Sequence, residues 1–275
     1  MTFHIYESGD KFLQDNQKVL EDNPVETSFF KINAKNMQDM TNNFAVKFKE
    51  NNKFIIALRF KHYPMIIFGD NSIIHAFSVN LLQHDLTFDR ILAKEPIAKS
   101  FIECYEQLNG GSHELIHSMD IMVCTQISQN NTDTTAVEIA QINDVQEIAE
   151  LVHTFFLKIN NKADPISKYL EEVKSNINNY VLIRSDGKIV SIAKKCREDE
   201  HICSISNVYT LNEYRCRGFS RKIMTFLTKQ ILESGKIVYL YVDKSNPISN
   251  HLYSSIGYKY ISPQMEIKYL PDNKK

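Results

Sequence analysis

Arg215-Cys216-Arg217-Gly218-Phe219-Ser220-Arg221-Lys222 places four cations within eight residues, at the point where a helix is predicted to begin. The N-terminal end of a helix carries about half a positive charge, so each cation there costs a few tenths of a kcal/mol unless an anion sits among them. An anionic ligand is the natural partner. Gly218 lets a backbone approach a ligand closely, small Ser220 keeps the first turn uncrowded, and the unpaired N–H groups of that turn can bind phosphate. The chemistry this segment can do is to hold a diphosphate.

The elements that must position it are legible on either side. Residues 202–211 are apolar and β-branched, as in a strand, and Phe219, Ile223, Phe226 and Leu227 mark one face of the helix that follows. Residues 236–242 read as another strand. A short helix comes next, with Asn246 as N-cap, Pro247 at its first position and Gly257 at its C-terminal end. Ile248, Leu252 and Ile256 are predicted as its packed face, with Tyr253 one position off that face.

The spacing Arg-x-x-Gly-x-Ser resembles the pyrophosphate loop of the GNAT acyltransferase superfamily, usually Gln/Arg-x-x-Gly-x-Gly/Ala. Ser220 departs from that pattern by a hydroxyl. The segment from Asp243 through Asn246 and Tyr253 to Gly257-Tyr258 resembles the second cofactor segment of the same family. Upstream, the predicted succession is strand 136–141, helix 144–159, helix 167–176, strand 180–184, strand 188–196 and strand 201–211. Residues 258–262 and 265–270 are predicted to close the fold as a final strand pair. The resemblance covers residues 136–270.

This resemblance implies an α/β (α+β) GNAT fold with a mixed, mostly antiparallel sheet. It also implies acetyl-CoA as cosubstrate, without a metal, and transfer of the acyl group to a primary amine by direct attack. The pantetheine arm would run along backbone groups of Asn207, Val208, Tyr209 and Thr210, with the thioester carbonyl polarised near Val208. Pyrophosphate would rest on the amides of Arg215, Cys216, Arg217, Gly218, Phe219, Ser220 and Arg221, and Asn246 would reach the cofactor. Tyr253 matches the family's tyrosine and is the candidate general acid; as a core aromatic it would have a structural role instead. Glu200, His201 and Glu213 are polar and near the strand ends, but none is assigned as a base.

With 275 residues, 43% hydrophobic and 24% charged, the chain is long enough for two domains with real cores. The polar stretch 128–135 is the expected linker, dividing residues 1–133 from 134–275. The leading part is predicted as a smaller, diverged α/β half, with a helix at 10–21, a hairpin over 44–68 turning at Asn51-Asn52, and a helix at 96–108 closed by Gly110. Its order is compatible with a second, degenerate GNAT-like copy. A net charge of -1 argues against nucleic-acid binding. No apolar run is long enough to cross a membrane, and the first residues lack a signal-peptide pattern, so the expected location is cytoplasmic. The expected acceptor is a small-molecule or peptide amine, and a homodimer is compatible with the reading. Five cysteines without Cys-x-x-Cys spacing suggest neither disulfides nor a zinc knuckle.

Two other readings stay open. A non-catalytic acyl-CoA-binding regulatory protein would need the same loop. His113-Glu114-Leu115-Ile116-His117 matches the zinc metalloprotease pattern His-Glu-x-x-His, which requires a helix. Gly110-Gly111 just before it and a strand predicted over 120–127 oppose that context. Gln107 to Ser112 also satisfies Gln-x-x-Gly-x-Ser, but follows a helix and reads as its C-cap.

Overall fold

The computed structural model describes residues 1–128 and 132–272, so Gln129, Asn130 and Asn131 of the expected linker lie outside the described residues. The chain divides into two compact units. One holds Met1–Ile121, Asp243–Ser245 and the residues from Ile261 onward; the other holds Met122–Val242 and Asn246–Tyr260. In order, the elements are β1 (Thr2–Ile5), α1 (Gly9–Asp15), α2 (Gln17–Asp22), α3 (Ser28–Lys35), β2 (Phe44–Glu50), β3 (Lys53–Arg59) and β4 (Met65–Gly69). Then come α4 (Ile74–Gln83), β5 (Arg90–Lys94), α5 (Glu95–Asn109), β6 (Ser112–Cys124), β7 (Glu138–Ile139), α6 (Val145–Asn160) and α7 (Ile166–Ser175). The series ends with β8 (Tyr180–Ser185), β9 (Lys188–Cys196), β10 (Ile202–Thr210), α8 (Phe219–Glu233), β11 (Ile237–Asp243), α9 (Pro247–Ile256) and β12 (Lys259–Leu270). Among the described residues, no helix is long and apolar enough to cross a membrane.

The first unit orders its strands β1-β2-β3-β4-β5-β12-β6. The hairpin at Asn51-Asn52 is present, with Asn51 at φ +53°, and β2 pairs β3 from Phe44–Arg59 to Glu50–Lys53. Residues of β3 alternate between two cores: Ile55 and Ala57 pack with Phe77 and Phe101 of α4 and α5, whereas Ile56 and Leu58 pack with Phe12 and Phe30 of α1 and α3. A strand buried on both faces is apolar at every position, which is why periodicity alone under-reads it. The helix predicted over 10–21 is broken at Asn16. Its buried side chain donates to the Phe12 carbonyl and the Tyr6 hydroxyl and accepts from Lys47.

Residues 258–270 do not form the expected strand pair. They form the single strand β12, registered on β5 from Gln264–Lys94 to Lys268–Arg90, and Met265, Ile267 and Tyr269 enter the first unit's core. Arg90 and Glu266 join across that register at 2.6 Å. Pro263 has no N–H to give a ladder, and the register begins directly after it.

In the second unit the order is β11-β10-β9-β8-β7. α8 and α9 cover one face over Val181, Ile183, Ala193, Cys203 and Ile205; α6 and α7 cover the other over Tyr180, Leu182, Ile192 and Tyr209. β8, β9 and β10 pair antiparallel, and β10 and β11 pair parallel. A chain ended after Tyr260 is expected to lose slow amide exchange at Ile91, Leu92 and Ala93, because β5 would lose one of its two partner strands and three core side chains. Unchanged exchange there, read by hydrogen–deuterium exchange, would refute that dependence.

Candidate functional site

β10 changes register midway. Ser206 faces Lys194, but Tyr209 faces Ile192, so three steps on β10 match two on β9. The extra residue makes a β-bulge, and Asn207 takes φ +52°, a left-handed conformation that Asn tolerates better than most residues. The parallel register between β10 and β11 runs only from Ile202–Ile237 to Ser204–Tyr239. Asn207, Val208, Tyr209 and Thr210 therefore extend past that pairing, one edge turned away from a registered partner. Asn207 and Tyr209 are buried by their side chains, and Tyr209 packs into the core under α6.

The loop after β10 passes through a short 3₁₀ turn, Asn212–Tyr214, and then two left-handed residues, Cys216 at φ +61° and Gly218 at φ +80°. Gly218 is the N-cap of α8, and a Cβ placed on it would meet nothing within 4 Å. Backbone conformation, not crowding, selects glycine here, and the space before the helix is open. Because this N-cap has no side chain, the N–H groups of the first turn, from Phe219 to Arg221, have no side-chain cap. Ser220 is anchored from below. Its hydroxyl lies 2.8 Å from that of Thr210, which in turn lies 2.7 Å from that of Ser191. The hydroxyl that departs from the family pattern thus ties α8 to the end of β10.

The four cations have different surroundings. Arg215 donates from Nε to the Thr210 carbonyl at 3.2 Å, and Arg217 donates to the Glu213 carbonyl at 3.1 Å while lying over the Tyr214 ring. Lys222 pairs with Asp133 at 3.3 Å. The Asp133 carboxyl is held down at about 2, chiefly by hydrogen bonds from Thr135 and then by Lys222. Arg221 stands half-buried in the first turn of α8. An exposed loop, uncapped amides and guanidinium groups suit a diphosphate, so the residues present fit the phosphate end of coenzyme A. Cys216 is exposed at the same loop.

Asn246 caps α9, its Oδ1 accepting from the Ser249 N–H at 3.1 Å, and Pro247 opens the helix. Gly257 closes it at φ +124°, where a Cβ would come within 2.5 Å of the Gln126 carbonyl oxygen. The packed face differs from the expected one. Tyr253, only 7% exposed, and Ile256 point into the core with α8, whereas Ile248 is 81% exposed. At about 100° per residue Ile248 lies about 140° around the helix from Tyr253, so both cannot face one core. Burial raises the Tyr253 phenol to about 12, against a lowering hydrogen bond from Ser249.

Sequence reasoning missed Tyr180, Lys194 and Glu172. Tyr180 accepts a hydrogen bond from Asn207 Nδ2 at 3.0 Å, Lys194 lies over its ring, and Lys194 pairs with Glu172 at 2.8 Å. The one available signal was the Lys194-Lys195 pair after the mainly apolar run 189–193 of the strand Lys188–Cys196. Among the unassigned polar residues, Glu213 is exposed and 3.7 Å from Lys188, and Glu200 and His201 are exposed in the β9–β10 turn.

The zinc reading fails on backbone geometry. His113, Glu114 and His117 lie in β6, and four residues along a strand span about 13 Å, far beyond what one ion bridges. Among the described residues, no group of three His, Cys, Asp or Glu side chains could hold a metal ion. The first unit has a loop at the matching place, between β4 and α4, with opposite chemistry. There Asp70 accepts from the Ser72 N–H at 2.8 Å and the Ser72 hydroxyl at 2.5 Å, and these bonds lower its pKa.

Residues 182–267 match the model of the family described as FR47-like protein. No curated protein sequence matches the chain. Among solved structures, a GNAT-family acetyltransferase from Colwellia psychrerythraea is similar over 99% of this chain and all of its own, with TM-score 0.62 and 11% identity. A GCN5-related N-acetyltransferase from Sphaerobacter thermophilus is similar over 98% of this chain and 96% of its own, with TM-score 0.62 and 13% identity. A tandem GNAT protein from the clavulanic acid biosynthesis pathway is similar over 98% of each chain, with TM-score 0.54 and 8% identity. These likenesses span both units, and the chain has the GNAT acetyltransferase fold in a two-part arrangement.

Proposed function

We propose that the chain is an acetyl-CoA-dependent N-acetyltransferase whose site lies in the second unit, and that its acceptor is a primary amine on a small molecule or peptide. The observation that carries this reading is the junction of the β10 bulge with the side-chain-free N-cap of α8, flanked by Arg215, Arg217 and Arg221. The amides from Arg215 to Arg221 would hold the diphosphate, and the edge of Asn207 to Thr210 the pantetheine arm. Acetyl-CoA supplies an acyl group already activated as a thioester. The N–H at Val208 would polarise the thioester carbonyl, an oxyanion-type contribution of about 3 kcal/mol.

Tyr253 is the residue of α9 best matched to protonating a leaving thiolate. Its phenol, raised to about 12, stays protonated throughout the neutral range. The same burial gives it a packing role, and the two roles are separable. Tyr253→Phe keeps the ring and removes only the hydroxyl, so it should lower kcat about ten-fold or more and leave the KM for acetyl-CoA within about two-fold. Unchanged kcat would remove the acid role and leave packing alone.

Calorimetry on the full chain is expected to show coenzyme A uptake, and Arg221→Ala should weaken it about ten-fold, as loss of a charge-assisted hydrogen bond does. No heat of binding would end the proposal. Thiol release from acetyl-CoA across a panel of polyamines, amino acids, aminoglycosides and peptides tests the reaction. Coenzyme A uptake without release on any amine would favour an acyl-CoA-binding regulatory protein.

Alkaline stability gives an independent check on Tyr253. A phenol raised from about 10 to about 12 contributes stability that is fully present below pH 10 and is lost as pH rises through 12. Base titration of unfolding should therefore show a shallower loss between those values in Tyr253→Phe than in the parent chain. Equal slopes would show that the phenol is not held protonated by the fold.

A further inference from the structure

The bulge in β10 depends on one residue in a left-handed conformation, and that residue is held from the side. Asn207 is buried, and its side-chain amide donates at 3.0 Å to the hydroxyl of Tyr180, which opens β8 and is fully buried. Tyr180 is itself fixed. Lys194, buried on β9 opposite it, lies 5.4 Å from its ring centre and pairs with Glu172 of α7 at 2.8 Å. Burial raises the phenol above the usual tyrosine range, so it remains a neutral partner for the amide.

This network touches the site at one end only. The loop that would carry the diphosphate is anchored separately, through Thr210 to Ser220 and Arg215, and through Ser191. The residue next to Asn207 is Val208, whose N–H direction follows from the Asn207 backbone angles. A side chain that fixes those angles therefore aims the N–H without touching any ligand.

Resting on the proposed acetyl-CoA reading, we propose that Tyr180 is a positioning residue for the acyl end of the site: its hydrogen bond to Asn207 sets the bulge that directs the Val208 N–H at the thioester carbonyl. The consequence is selective. Losing the tether should weaken recognition of the acyl thioester and leave recognition of the coenzyme's phosphates intact.

The test uses the full chain and calorimetric titration with coenzyme A and, separately, with acetyl-CoA. Tyr180→Phe removes the hydroxyl and keeps the ring. Asn207→Gly keeps the backbone free to adopt positive φ but removes the amide, and serves as the second variant if burial of an unpaired amide makes the first fold poorly. Tyr180→Phe is expected to bind acetyl-CoA about five-fold more weakly and coenzyme A within about two-fold of the parent, and Asn207→Gly to match its loss toward acetyl-CoA. The double variant should lose no more than either single, because both remove the same bond. Unchanged acetyl-CoA affinity in the variants would overturn the proposal, and so would equal weakening toward both ligands or additive losses in the double variant. Failure of the parent chain to bind either ligand is a different result: it would remove the acetyl-CoA reading on which the inference stands.

Discussion

A strand inside a sheet has backbone groups on both edges that need partners, and β10 meets this requirement unevenly. Toward β9 it remains paired along most of its length, interrupted only by the bulge, while toward β11 the register ends at Ser204–Tyr239. The open edge from Asn207 to Thr210 follows from that departure. The bulge adds a residue and increases local twist, turning the last part of β10 away from its parallel neighbour. Backbone N–H and C=O groups near the domain core are then available to a ligand, and such groups are costly to leave unpaired. A linear arm rich in amides, laid along that edge, would replace the missing strand.

The two units share an order of strands and helices but treat the junction after their fourth strand in opposite ways. In the second unit the helix N-terminus is left open: its cap is glycine, its neighbours are guanidinium groups, and the loop is exposed. In the first unit Asp70 bends onto Ser72 and fills the corresponding position with its own carboxylate. The 3₁₀ turn Asn71–Ile73 that leads into α4 thus has a carboxylate at its N-cap, where α8 has glycine. The β3–β4 register, from Ile55–Gly69 to Leu58–Ile66, also runs without a shift. A carboxylate at that turn and an unbulged strand set the first unit's junction apart from the glycine cap and bulged strand of the second.

Much of the second unit was legible because its signals are local. The strand at 188–196, the caps Asn246 and Gly257, and the basic loop each depend on residues within one or two turns of each other. What escaped was set by distant partners. No pattern near Pro263 tells residues 264–268 to pair with β5, because the register comes from a strand about 170 residues earlier. β4 and β5 are buried along most of their length and lose their alternation, and β1 is four residues long and mostly exposed, so none was separated from its surroundings. Ile248, assigned inward from its apolar character, points outward because the core is already occupied by Tyr253 and Ile256. The bulge itself had only a weak sign, an asparagine within an apolar strand, and its meaning appears only with Tyr180 beside it.

The cation cluster that makes the loop conspicuous acts less by summed charge than by the arrangement of donors. Lys222 is paired with Asp133, and Arg217 keeps its charge while its guanidinium is positioned over the Tyr214 ring. Arg215 and Arg217 each use one N–H on a backbone carbonyl, and a guanidinium has four more to offer. That restraint lowers the entropy a ligand must remove, because the side chains are partly ordered before it arrives. Ser220 works in the same direction. Its hydroxyl joins Thr210 and Ser191 in one chain, so the first turn of α8 and the end of β10 keep a fixed relation. Two separate side-chain networks thus meet the end of β10: one holds Asn207 in the bulge, and the other ties Thr210 to the first turn of α8.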